Sequence, residues 1–225
     1  MAAVTVASLI ADAQTLSDIG LSSFISPAEW LTLVNDAYRA LWSTVIGANP
    51  DFRVSNQTVT ITNTATPQAA LPADYMDTRA VIRDYGSQSE EILEREQFRD
   101  ARQTNKRSYR LDGVNLVIEP YQMSIGVYTH RYNPDAPVLA APDSTDVELG
   151  RFSEFLKLHI AIKARIKDES PSESLMDLLW GQPGRKRGAV DDVREWAAGK
   201  RSADPDKPED VRPRRNRGWP SRWPA

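Results

Sequence analysis

The chain has 225 residues, 40% of them apolar, which is enough for one elaborated domain or two small ones built around a real core. It contains no cysteine, which excludes disulfides, thiolate metal sites and a thiol nucleophile and fits a reducing compartment. The net charge of -3 conceals a polarity: residues 211–225 hold five arginines, two tryptophans and three prolines but no acidic residue, so the body that precedes them is distinctly acidic.

The N-terminus has no basic leader, its first charge being Asp12, and no stretch approaches the roughly 20 apolar residues of a bilayer span. The expectation is a soluble protein, neither secreted nor membrane-spanning. Val6, Leu9, Ile10 and Ala13 have helical spacing. After a Ser/Gly loop, Ser26-Pro27-Ala28-Glu29 supplies an N-cap, an N1 proline and a capping-box glutamate. Trp30, Leu33, Val34, Ala37, Tyr38, Leu41, Trp42 and Val45 then form an unbroken helical stripe that stops at Gly47 and Pro50, and the tryptophans on it read as core.

From Asp51 the period changes to two. Val59 and Ile61 alternate with threonines, and residues 76–85 read as a second strand. Residues 109–119 form a hairpin turning at Asp112-Gly113, with Leu116 and Ile118 inward, and residues 124–132 give a further strand, for about five in all. Between them, residues 94–103 are expected as a short charged helix anchored by Leu93 and Phe98.

Helical spacing returns with Phe152, Phe155, Leu156, His159, Ile162, Lys163 and Ile166, predicting a helix that ends near Glu169. Ser170-Pro171-Ser172-Glu173 has the form of a second capping box, opening a helix with Leu175, Leu178 and Leu179 inward and antiparallel to the one before. A break is expected near Pro183, before the pattern resumes at Val190, Val193, Trp196 and Ala197. The fold class is therefore α+β. Residues 1–50 and 145–198 form a helical bundle, 51–144 an inserted antiparallel β layer, and 199–225 an extended arm. Prolines and sparse apolar residues leave the arm disordered until it meets a partner.

Chemistry finds little to work with. His130 lies in a strand and His159 on an apolar helix face, where it reads as a core histidine with satisfied nitrogens; no G-x-S-x-G accompanies either. No metal motif is present, and Glu90, Glu91, Glu94, Glu96 and Asp100 alternate with Arg95, Arg99 and Arg102 as a solvated face does. The segment 181–188 has glycines and bases but not the order that wraps a phosphate, and Asn56-Gln57-Thr58 has no force as a glycosylation acceptor without a secretory signal. No catalytic, cofactor or metal residues are assigned.

Five stretches, in order, carry a resemblance: residues 35–42 (Asn-Asp-Ala-Tyr-Arg-Ala-Leu-Trp), 70–75 (Ala-Leu-Pro-Ala-Asp-Tyr), the hairpin from Tyr109-Arg110-Leu111-Asp112-Gly113 to Pro120, the strand 128–134 with Leu139 after it, and 161–170 (Ala-Ile-Lys-Ala-Arg-Ile-Lys-Asp-Glu-Ser). On their order the chain resembles the head-to-tail adaptor (connector, or head-completion) proteins of tailed bacteriophages, a resemblance that covers about Val4 to Val211. It departs from their pattern after Ser170, where such proteins carry a long uninterrupted helix and this chain has Pro183 and glycines. The resemblance implies a structural virion protein, assembled in the host cytoplasm. It would form a twelve-fold ring that joins portal to tail or tail nozzle and lines the channel for packaged DNA, with no membrane partner. An acidic lumen would let the duplex slide. By position, Arg212, Arg214, Arg215, Arg217, Trp219, Arg222 and Trp223 would grip the portal, and the β layer would face the tail. Two other readings are a DNA-binding assembly protein using the same basic tail, and a lytic enzyme using Glu90 and Glu94.

Overall fold

The computed structural model describes residues 4–19, 24–85, 90–96, 106–141, 143, 145, 148–182 and 186–200. Helix α1 (Val6–Ser17) starts where Thr5 Oγ1 accepts from the Ser8 amide, and ends at Asp18 in the left-handed region. Helix α2 (Pro27–Ala48) has the expected capping box: Ser26 Oγ accepts from the Glu29 amide and the Glu29 carboxylate accepts from the Ser26 amide at 2.8 Å. Its stripe from Trp30 to Val45 is buried except for the half-buried Leu33, so both tryptophans are core.

Helix α3 (Ser153–Lys167) follows a 3-10 turn at Gly150–Phe152 and is the axis of the helical core. The sequence assigns it one apolar face, but Leu158, Ile160, Ala161 and Ala164 are buried as well as Phe155, Leu156 and Ile162. α1 and α2 pack against it, as do helix α4 (Glu173–Trp180) and helix α5 (Ala189–Gly199). A helix enclosed by neighbours needs apolar residues nearly all round. Ile166, counted as inward, is 55% exposed because it lies on the last turn beyond this packing.

Two further expectations at this end need correction. The cap of α4 is Ser172 with no side-chain hydrogen bond; Ser170 Oγ turns to Asp168 instead, so the second capping box does not form. Leu178 is exposed, and only Leu175 and Leu179 of α4 face the core, because an eight-residue helix places one narrow stripe inward. The interruption between α4 and α5 is present; Pro183 itself lies outside the described residues. Gly181 (φ 78°) and Gly188 are needed there, since a Cβ on Gly181 would come within 2.5 Å of the Lys186 carbonyl oxygen and one on Gly188 would run into the Gly181 backbone.

Among the described residues the β region has seven strands rather than about five: β1 (Ser55–Ile61), β2 (Gln68–Ala70), β3 (Tyr75–Asp84), β4 (Glu90–Arg95), β5 (Ser108–Asp112), β6 (Asn115–Glu119) and β7 (Gly126–Pro134), ordered β1-β7-β3-β4-β5-β6-β2. Pairing is antiparallel except between β4 and β5, which run parallel, so the sheet is mixed. The expected charged helix is overturned at its start, where Glu94 and Arg95 complete β4; residues 97–103 lie outside the described residues. The Asp112-Gly113 hairpin forms, with Gly113 left-handed at φ 57°.

The outer strands β1 and β2 approach each other, and Gln57 Nε2 donates to the Ala70 carbonyl at 3.0 Å across the gap. The sheet thus nearly closes, which leaves little edge for another chain to pair with. Val59, Ile61, Val81, Leu93, Tyr109, Leu116, Ile118 and Tyr128 fill its interior as a core separate from the helical one.

Candidate assembly interface

β7 is the strand that ties the sheet to the helices. Its inward residues are Tyr128, His130 and Tyr132, and at its end Asn133 and Pro134 reach the helical core. Asn133 Nδ2 donates to the Pro50 and Phe52 carbonyls at 2.9 and 3.1 Å, and Trp42 Nε1 donates to the Pro134 carbonyl at 2.9 Å. Asn35 then brackets Leu139, accepting from its amide at 2.7 Å and donating to its carbonyl at 3.0 Å. Arg39 Nε stands 3.7 Å from Asp135 Oδ2 beside this strap.

The strap forms one wall of an open groove of about 660 Å³ where helices and sheet meet. Trp42, Val54, Ala73, Pro134, Ala136 and Val138 give it an apolar surface, and Asp74, Asp135 and Arg53 line it as well. Asp74 Oδ1 accepts from the Tyr132 hydroxyl at 3.1 Å. These residues come from four segments scattered between positions 42 and 138, so no local pattern announces the groove.

The far end of the sheet, away from the helices, has a different character. Arg83 points inward, donates from Nη2 to the Ile125 carbonyl at 2.9 Å, and lies 4.6 Å over the Tyr85 ring. Arg107 donates from Nε to the Met123 carbonyl and from Nη1 to Glu91, which also accepts from the Tyr85 hydroxyl. The Tyr85 hydrogen bond, followed by the two arginines, holds the Glu91 carboxyl below its ordinary range. Around this cluster Tyr85, Ile92, Tyr121, Ile125 and Val127 are exposed, an apolar rim of the kind that marks a protein contact.

The sequence-derived sites fare unevenly. Arg212, Arg214, Arg215, Arg217, Trp219, Arg222 and Trp223 lie outside the described residues. Glu90 and Glu94 are exposed on one face of β4, and their neighbour Glu91 is ion-paired with a lowered pKa, the reverse of what a general acid requires. His130 is buried between Thr78 and Gln57, at 3.1 and 3.2 Å, with burial pushing its pKa down. His159 departs from expectation: it stacks on Phe155 at 5.9 Å, but its buried Nδ1 has no hydrogen-bond partner. Burial, assisted by the charge of Lys163, pushes its pKa down to about 4.

Among the described residues no group of His, Asp and Glu is placed to hold a metal ion, and no helix is long and apolar enough to cross a membrane. No curated protein matches the chain. A protein-family model, that of the SU10 adaptor protein, matches residues 4–203. With so much of its length matched, the chain belongs to the SU10 adaptor family and is a structural connector of the virion, joining portal to tail without catalysis.

Proposed function

We propose that copies of this adaptor form a twelve-fold ring beneath the portal, with the channel for packaged DNA at its centre. The family match over residues 4–203 carries the reading. The body is acidic, and an acidic lumen repels phosphates, so the duplex slides instead of being held. In this reading residues 1–50 and 145–198 act as the helical unit, 51–144 as the β unit, and 199–225 as the arm that grips the portal. Arginine forks from Arg212, Arg214, Arg215, Arg217 and Arg222 pair with carboxylates, and Trp219 and Trp223 fill pockets. The exposed rim of Tyr85, Ile92, Ile125 and Val127 faces the tail components. Assembly takes place in the host cytoplasm.

The test is the mass of the purified protein with and without its portal: a monomer that becomes a twelve-copy ring on the portal is the expected outcome. Deleting residues 211–225 is expected to leave a folded body that no longer joins portal-bearing capsids; retained attachment removes the arm from the grip. The arm's mixture of arginine and tryptophan also suits phosphates and bases. Salt-sensitive duplex binding that disappears with the arm, together with portal attachment that survives its loss, would favour a nucleic-acid tail.

A further inference from the structure

We infer that, before the portal is met, residues 211–225 dock in the helix–sheet groove of their own chain and are thereby withheld. The groove's chemistry selects this occupant. Its apolar surface includes a tryptophan and prolines, and beside its one arginine stand two carboxylates, Asp135 paired with Arg39 and Asp74 with one oxygen on the Tyr132 hydroxyl. Residues 211–225 bring the complement, five arginines and two tryptophans with no acid. Three prolines favour an extended chain, the shape that enters aromatic-lined grooves at low entropic cost. Asp74 engages Tyr132 through Oδ1, which leaves its second oxygen to meet a guanidinium.

Reach favours docking within one chain. The described residues end at Lys200, one position beyond α5. On α5 the Trp196 ring lies 6.1 Å from Phe52, and Phe52 lies 5.8 Å from Trp42 in the groove. Residues 201–210 span up to ~35 Å when extended, several times that separation. A tethered segment also has an effective concentration that a separate molecule does not match. Docking needs no portal, and the portal displaces the arm by competing for the same arginines and tryptophans.

The absence of native cysteine allows a direct test on the full chain. Val138→Cys and Ser221→Cys, at an exposed groove position and in the arm, are joined by a short bismaleimide at low protein concentration. The expected product is a cross-link within one chain. Pairing Ser221→Cys with Ile92→Cys, at the exposed far end of the sheet, is expected to give none. Adding Asp74→Arg to the first pair is expected to cut its yield about tenfold, the effect of one lost charge-assisted contact.

Equal yields at the two positions would mean an arm that roams, and would overturn docking. So would cross-links only between chains, which would assign the groove to the arm of a second copy, or no cross-link at all. The joined chain is expected to fail to attach to portal-bearing capsids while the untreated double variant attaches. If both attach, docking does not withhold the arm. If neither the untreated variant nor the parent needs residues 211–225 to attach, the portal grip fails whatever the cross-link shows.

Discussion

His159 gives the sharpest thermodynamic test of the helical core. Its pKa is pushed from 6.5 down to about 4, chiefly by burial and next by the Lys163 charge, with Asp36 opposing. The folded state therefore holds a neutral ring at pH values where the unfolded chain binds a proton. Between those two pKa values stability rises with pH, and it is lost as pH falls from 6.5 toward 4. Acidification from about pH 7.5 to about pH 5 costs about 2 kcal/mol through this one group, and the full loss, below pH 4, is about 3 kcal/mol.

The assay is urea unfolding across that pH range for the parent and for His159→Leu. The variant removes the titrating ring and also the buried Nδ1 that has no partner, so at neutral pH it is expected to be no less stable than the parent. His130, whose pKa is also lowered by burial, is present in both proteins and drops out of the difference. The variant is expected to lose about 2 kcal/mol less than the parent on going to pH 5. Parallel pH profiles would refute the reasoning, because the ring would then titrate alike in folded and unfolded chains.

Two further substitutions probe the packing and the strap. Leu156→Ala, at a fully buried site on α3, is expected to cost about 2–5 kcal/mol in thermal or urea unfolding. A cost well below that range would mean that α3 is not the centre of the core. Asn133→Ala removes the two hydrogen bonds to the Pro50 and Phe52 carbonyls and is expected to cost about 1–3 kcal/mol, with faster amide exchange where the chain enters β1. Unchanged exchange there would show that the strap is held by its other contacts.

What was legible in the sequence was whatever has a local period. The α2 stripe and its capping box, the α1 spacing and the Asp112-Gly113 hairpin were all recoverable because each motif fits within a few turns or a few pleats. β4 was not: Glu90-Glu91-Ile92-Leu93-Glu94-Arg95 buries Leu93 while Ile92 faces solvent, and its charges match a helix face equally well. What makes it a strand is pairing with β3 and β5, which no window of the sequence contains. β2 is three residues held by β6 and carries no period at all. The orphaned nitrogen of His159 and the groove share that difficulty, since each depends on what distant segments bring to one place.

The strap after β7 bears on how an adaptor passes force between its neighbours. Within seven residues the chain makes four attachments to the helical side: Asn133 to residues 50 and 52, Pro134 to Trp42, Asp135 to Arg39 and Leu139 to Asn35. The hydrogen bonds are worth about 1 kcal/mol each, and the exposed ion pair adds less. They act in parallel, however, so the sheet cannot rotate against the helices unless several break together. The groove lies against this strap and shares Trp42, Pro134 and Asp135 with it. A segment seated in the groove therefore touches the same residues that fix the angle between sheet and helices, and its departure removes contacts from that joint. The proposed departure of the arm for the portal would thus ease the joint between sheet and helices.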